Sequence, residues 1–277
     1  MQLSQPMAES QLVDLVNCAY NLSTNALTLV ESLLPNDNIT FETIPEATIW
    51  KLHLSATGNY RAGLVCLRQA ETSMGAPMLL RGILEVWSHI TFIAVEDSEN
   101  STVKCRALSY ELGAIDEWDG NMNVLPQGYD HGAWQKESKS AKEKFKTMWK
   151  DAGCGKVVTR GRKHVETTLK KIAKQPSFDW VTPLWRSSSA NVHAYGYLYF
   201  FVHNDDATSK LVWATLQQRA TWLTFLVASY VNFTVMAHKA LNASDDHLLR
   251  VNQLYTDSQG IVEKARLFIL EGIGFEE

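Results

Sequence analysis

An all-α, single-domain fold is expected for this chain, and three observations point to it. Apolar residues recur at helical spacing over most of its 277 residues. Period-2 alternation is almost absent, so no sheet is expected. Prolines stand at the starts and stops of the expected helices and in the connections between them, not inside the periodic runs. The length is enough for one sizeable core. A hydrophobic share of 45% against 20% charged residues excludes a disordered chain or a long coiled coil.

The helices can be taken in order. Residues 8–34 carry Leu12, Leu15, Val16, Ala19, Leu22, Leu27 and Leu33 near helical spacing, and Pro35-Asn36-Asp37 ends them. Pro45 suits a first helical turn, and a helix to about Gln69 is predicted. Gly75-Ala76-Pro77 opens a helix over 77–96 that is apolar on nearly every side, which places it near the centre of a bundle. Further helices are expected over 101–118, 134–151 and 160–174. Residues 119–132 form a loop. Pro176 and Pro183 bracket a linker that contains Phe178 and Trp180. The spacing then predicts helices over 186–203, 207–241 and 246–271. Residues 220–238 hold no Asp, Glu, Lys or Arg. Thr221, Thr224, Ser229, Asn232, Thr234 and His238 interrupt that run, so a buried core helix is expected there and no membrane span.

Cysteines 18, 66, 105 and 154 stand singly, with no C-x-x-C pair. The start, MQLSQPMAESQ, has neither a basic nor an apolar leader region. Together these give a cytoplasmic, reducing setting as the expectation.

Charge is concentrated. Residues 136–174 hold thirteen Lys and Arg against four Asp and Glu, a local +9 within a chain of net −4. Lys142, Lys146, Lys150, Arg160, Arg162 and Lys163 are the candidate contacts to a polyanion such as RNA. The competing reading is a pair of solvated helix faces.

Most familiar sites are missing from the sequence. There is no G-x-S-x-G and no H-E-x-x-H. Gly153-Cys154-Gly155-Lys156 resembles part of a phosphate loop, but Val157 replaces the required hydroxyl residue. Asp205-Asp206 after His203, and Asp245-Asp246-His247, suit helix caps as well as a metal, and no metal or cofactor is expected. One constellation remains. Arg186 and His193 are seven residues apart, which on one helix brings them to the same face about two turns apart. An imidazole can move protons to and from the oxygens of a phosphodiester, and a guanidinium matches the phosphoryl charge. The residues between them are mostly small and polar, and the motif is expected to open its helix, whose N-terminus favours anions. A second polar set, Arg81, Glu85 and His89, follows at i, i+4 and i+8 on the apolar helix. It reads either as a self-neutralising pair or as a stripe facing the Arg186–His193 face, with Glu85 orienting the base.

The segments RGILEVWSHITFIAVED, SYELGAIDEW and TPLWRSSSANVHAYGY resemble an uncharacterised family of bacterial helical proteins. The Arg-x(4–6)-His segment also resembles the HEPN superfamily. That resemblance implies a HEPN-like part within 77–241. It implies Arg186 and His193 as a catalytic pair, with Ser187 in the slot after Arg where Asn, Asp or His is frequent. It also implies a metal-independent endoribonuclease of a phage-defence or toxin–antitoxin system, acting as a homodimer on RNA with an antitoxin or regulatory protein as partner. The alternative is a catalytically inactive helical module that binds a nucleotide, RNA or a protein.

Overall fold

The computed structural model describes residues 9–33, 43–69, 71–94, 102–122, 131–155, 162–192, 201–203, 209–211, 216–241 and 245–269. Among these, α1 (Glu9–Leu33), α2 (Ile44–Cys66), α3 (Ala76–Ala94), α4 (Val103–Met122), α5 (His131–Asp151), α6 (Arg162–Ile172), α7 (Val181–Val192), α8 (Leu216–Ala240) and α9 (Asp245–Ile269) form an all-α bundle.

Two helices organise it. α3 packs against α2, α4, α6, α7 and α8. Leu80, Ile83, Leu84, Trp87, Ile90 and Ile93 are all but inaccessible, so several sides of α3 are covered, as its all-round apolar sequence predicts. α8 packs against α1, α2, α3 and α9. Its Leu226, Tyr230, Val231, Phe233 and Ala237 are equally closed off. Gln218–Ala240 has the length and apolarity of a membrane span, yet most of it is buried inside the bundle.

Local signals explain several boundaries. The Thr43 hydroxyl accepts a hydrogen bond from the Glu46 amide at 3.3 Å and so caps α2, with Pro45 in its first turn. At the other end of α2, Arg219 of α8 donates to the carbonyls of Leu67 and Arg68 at 2.6–3.0 Å, satisfying groups that a helix end leaves open. α5 ends in a Schellman turn. Gly153 adopts φ +63°, its amide donates to the Lys150 carbonyl at 2.9 Å, and the Cys154 amide donates to that of Trp149 at 3.2 Å. The phosphate-loop-like Gly153-Cys154-Gly155 therefore begins as a helix terminator.

Two expectations are corrected. Pro183 lies inside α7, whose start is Val181, and not in a linker. A first-turn proline gives up only an amide that has no helical partner. Arg186 accordingly sits in the second turn of its helix instead of opening it. The helices expected over 186–203 and 207–241 are interrupted: between the described α7 (to Val192) and α8 (from Leu216) lies a short ribbon. That ribbon pairs β1 (Phe201–His203) antiparallel with β2 (Ser209–Leu211), with Val202 opposite Lys210. Three-residue strands are too short to show alternation in sequence.

Two of the four cysteines are paired. Cys105, in the first turn of α4, is joined to Cys154 by a disulfide with Cα atoms 5.6 Å apart. The antiparallel α4–α5 hairpin brings these residues together although 49 positions separate them. Cys18 and Cys66 are free thiols.

Candidate functional site

The α3 stripe divides. Arg81 donates from Nε to Glu85 Oε1 at 2.7 Å, one turn along α3. The same carboxylate oxygen accepts a longer bond, 3.4 Å, from the indole Nε1 of Trp185 on α7. The Arg81 guanidinium lies 5.2 Å from the centroid of the Trp185 ring, within cation–π range. Burying charge on so apolar a helix is costly unless it is paired. Here the carboxylate neutralises the guanidinium, and the tryptophan supplies both a ring face and a donor. His89 takes a different direction and meets Tyr110 of α4 edge-on at 5.2 Å. Steps of four residues drift about 40° each, so by the third member the stripe has turned towards another helix.

Trp185 is the contact that sequence reasoning missed. It is buried with Leu184 and Val181, and this packing seats α7 on α3. The next residue, Arg186, points outward with its side chain 59% exposed. Its Nη2 donates to Glu166 of α6 at 3.2 Å. Lys170 approaches the same carboxylate at 2.9 Å. Lys170 first, and then Arg186, hold the Glu166 carboxyl below the usual carboxylate range. The Ser187 hydroxyl donates to the Leu184 carbonyl at 3.0 Å. His193 lies outside the described residues, one position beyond the end of α7.

The basic stretch is carried by two described helices. α5 lies along α4, whereas α6 packs on α3 and α7. Lys142 is paired with Asp116 of α4, and that hydrogen bond is the main cause of its raised pKa. Ser138 donates to Asp119, also of α4. Lys146 pairs with Glu143 at 2.9 Å within α5 and lowers that carboxyl's pKa. Lys150 is exposed in the last turn of α5, where a cation complements the helix dipole. Arg162 and Lys163 begin α6, and Arg160 lies outside the described residues.

The structure also brings together histidines that the sequence did not single out. His53 of α2 and His238 of α8 face each other with ring centroids 5.6 Å apart and are essentially inaccessible to solvent. Trp50 stacks on His53 at 5.4 Å, and Phe233 meets it edge-on at 5.5 Å. Thr57 Oγ1 lies 3.5 Å from His53 Nδ1 and 3.0 Å from the Tyr230 hydroxyl. Among the described residues, His53 Nε2 and both ring nitrogens of His238 find no hydrogen-bond partner. Burial lowers the pKa of His53 to about 4. Burial, followed by the charges of His53 and His247, lowers that of His238 to about 3. Both imidazoles are therefore neutral at pH 7.

Among the described residues, no group of three or more His, Cys, Asp or Glu is placed to hold a metal ion. Asp246 of the Asp245-Asp246-His247 set pairs instead with Arg250, one turn along α9, at 3.0 Å. A shallow cleft of about 40 Å³ is lined by Val16, Tyr20, Leu67, Arg219, Ala220 and Leu223, and shares no residue with the Arg81–Glu85–Trp185 group. No protein-family model matches the chain, and no curated protein or solved structure shows significant similarity to it.

Proposed function

We propose that this chain is a metal-independent endoribonuclease of a defence or toxin-like system, with Arg186 and His193 as its reacting pair and HEPN-like character over 77–241. The observation that carries this reading is the junction of α3 and α7. Arg81 and Glu85 form a charged pair against Trp185, and the residue directly after Trp185 is a solvent-open arginine. In this reading His193 takes the proton of the 2′-hydroxyl as that oxygen attacks the adjacent phosphorus, the bond from phosphorus to the 5′-oxygen breaks, and the leaving 5′-oxygen takes up a proton from solvent. Arg186 leaves Glu166 to stabilise the charge that grows on the phosphoryl oxygens. Glu85 fixes the orientation of the α7 side of the site through Trp185. A cytoplasmic homodimer would place two such sites across one cleft, with an antitoxin or regulatory protein as its control.

The test is cleavage of single-stranded RNA by the purified chain with and without EDTA. Cleavage should persist in EDTA, leave 2′,3′-cyclic phosphate ends and spare DNA. Arg186→Ala and His193→Ala should each abolish it while leaving the helical circular dichroism spectrum intact.

A second reading, a catalytically inactive module that binds RNA, a nucleotide or a protein, is favoured by one observation. Arg186, Lys142 and Lys146 are already engaged by carboxylates of this chain. No cleavage by the wild type would select it. The two readings share an RNA-binding prediction. Neutralising Lys142, Lys146 and Lys150 together should weaken RNA binding and reduce its salt dependence, because each released phosphate contact removes about 0.7 from the slope for a single strand. An unchanged slope in a filter-binding titration would show that these lysines serve only to seat and solvate α5.

A further inference from the structure

The α4–α5 hairpin is tied at both ends, by the chain connection after Met122 and by the disulfide next to Val103. Between those ties α5 is held lightly. α4 is the one described helix against which it packs extensively. Ser138 is the only side chain of α5 described as buried. Ala141, Lys142, Phe145, Met148 and Trp149 form a half-covered stripe. Apart from that stripe, the Lys142–Asp116 ion pair and the Ser138–Asp119 hydrogen bond are the described side-chain links to α4, and an exposed ion pair adds little. A helix with so few buried contacts belongs to the low-stability end of a fold, where local opening occurs first.

We propose that Cys105 and Cys154 form a thiol–disulfide latch that holds α5 on α4 and releases it on reduction. The Schellman turn at Gly153 aims Cys154 back towards the first turn of α4, so the latch sits where α5 ends. Its two sulfurs differ in access. Cys105 is 3% exposed, whereas Cys154 is half-buried. A thiolate of a dithiol reductant therefore attacks Cys154 Sγ. The S–S bond breaks, and its electron pair leaves on Cys105 Sγ, which takes up a proton. The second thiol of the reductant then displaces Cys154 from the mixed disulfide. Cys154 leaves as a thiol and the reductant as its own disulfide. Release frees the acidic face formed by Asp116 and Asp119 on α4 and the lysine-bearing side of α5. The core helices α3 and α8 take no part in it.

The test is hydrogen exchange read by mass spectrometry on the full chain, oxidised with glutathione disulfide or reduced with dithiothreitol, without denaturant. Two titratable thiols, Cys18 and Cys66, are expected in the oxidised form and four in the reduced form. Amides of residues 131–151 should exchange about tenfold or more faster after reduction, while those of α3 and α8 keep their protection. Reoxidation should restore the slow rate, and Cys105→Ser/Cys154→Ser should exchange like the reduced chain. The proposal is overturned by four thiols persisting after oxidation, by a bond that dithiothreitol opens only in denaturant, or by equal α5 exchange in the two forms. It is equally overturned if α3 and α8 loosen together with α5, or if the double variant fails to fold, since the disulfide would then staple the whole domain.

Discussion

Acidification from pH 7 to about 4 should destabilise this protein by several kcal/mol through two side chains, His53 and His238. In an unfolded chain each imidazole takes up a proton near pH 6.5, whereas in the folded chain His53 waits until about 4 and His238 until about 3. Between those limits the unfolded state binds more protons than the folded one. The stability is therefore fully present above pH 6.5. It is lost progressively as pH falls through the window down to the folded values. The rings are 5.6 Å apart in a closed core, so protonating both would also set two like charges against each other. Urea denaturation followed by circular dichroism from pH 7 to 4 should show the midpoint falling steeply. In His238→Leu the fall should be shallower, because one of the two imidazoles and the repulsion between them are gone. Parallel curves for the two proteins would show that the pair has no part in acid sensitivity.

The second large effect is expected at Trp87. Its side chain is 1% exposed in the middle of α3. It meets Phe178 edge-on at 5.3 Å and Trp180 at 6.2 Å, and its indole N–H points to the Met236 sulfur at 3.0 Å. The residue thus joins α3, α8 and the connection between α6 and α7. Trp87→Ala should cost about 3–5 kcal/mol, the sum of lost transfer energy and the cavity left behind. Trp87→Phe keeps most of the apolar volume and should cost clearly less. A urea midpoint for Trp87→Ala within error of the wild type would mean that the core refills around the missing ring.

How legible this was depends on the element. α3 was readable because a Gly-Ala-Pro start and an unbroken apolar run leave few alternatives, and the expected 77–96 matches Ala76–Ala94 closely. α7 starts five residues before the expected 186 because Pro183, expected to bracket a linker, fits a first turn. Arg186 thereby moved from a helix start to a second turn, and Glu166, twenty positions upstream, became its partner. No local pattern announces such a contact. The Trp185–Glu85 bond was nearer to hand, since a tryptophan directly before the singled-out arginine had to be buried somewhere. The disulfide was invisible because Cys105 and Cys154 meet only once α4 and α5 have folded back on each other. The histidine pair was masked by α2 itself, whose buried face includes Thr48, His53 and Thr57 and so reads as only weakly amphipathic.

The position of α8 in the chain bears on how the protein is made. α8 begins at Leu216, yet it packs on α1, α2 and α3, which all end by Ala94. During synthesis, at roughly 5–20 residues per second, the first three helices emerge well before the element that covers their inner faces. For that interval they offer apolar surface to chaperones or to one another. A ribosome that stops anywhere before residue 240 delivers a chain with an open core, whatever the condition of the helices already made. Nascent chains of increasing length, probed by protease on the ribosome, should therefore gain resistance late and in one step, once α8 has cleared the exit tunnel.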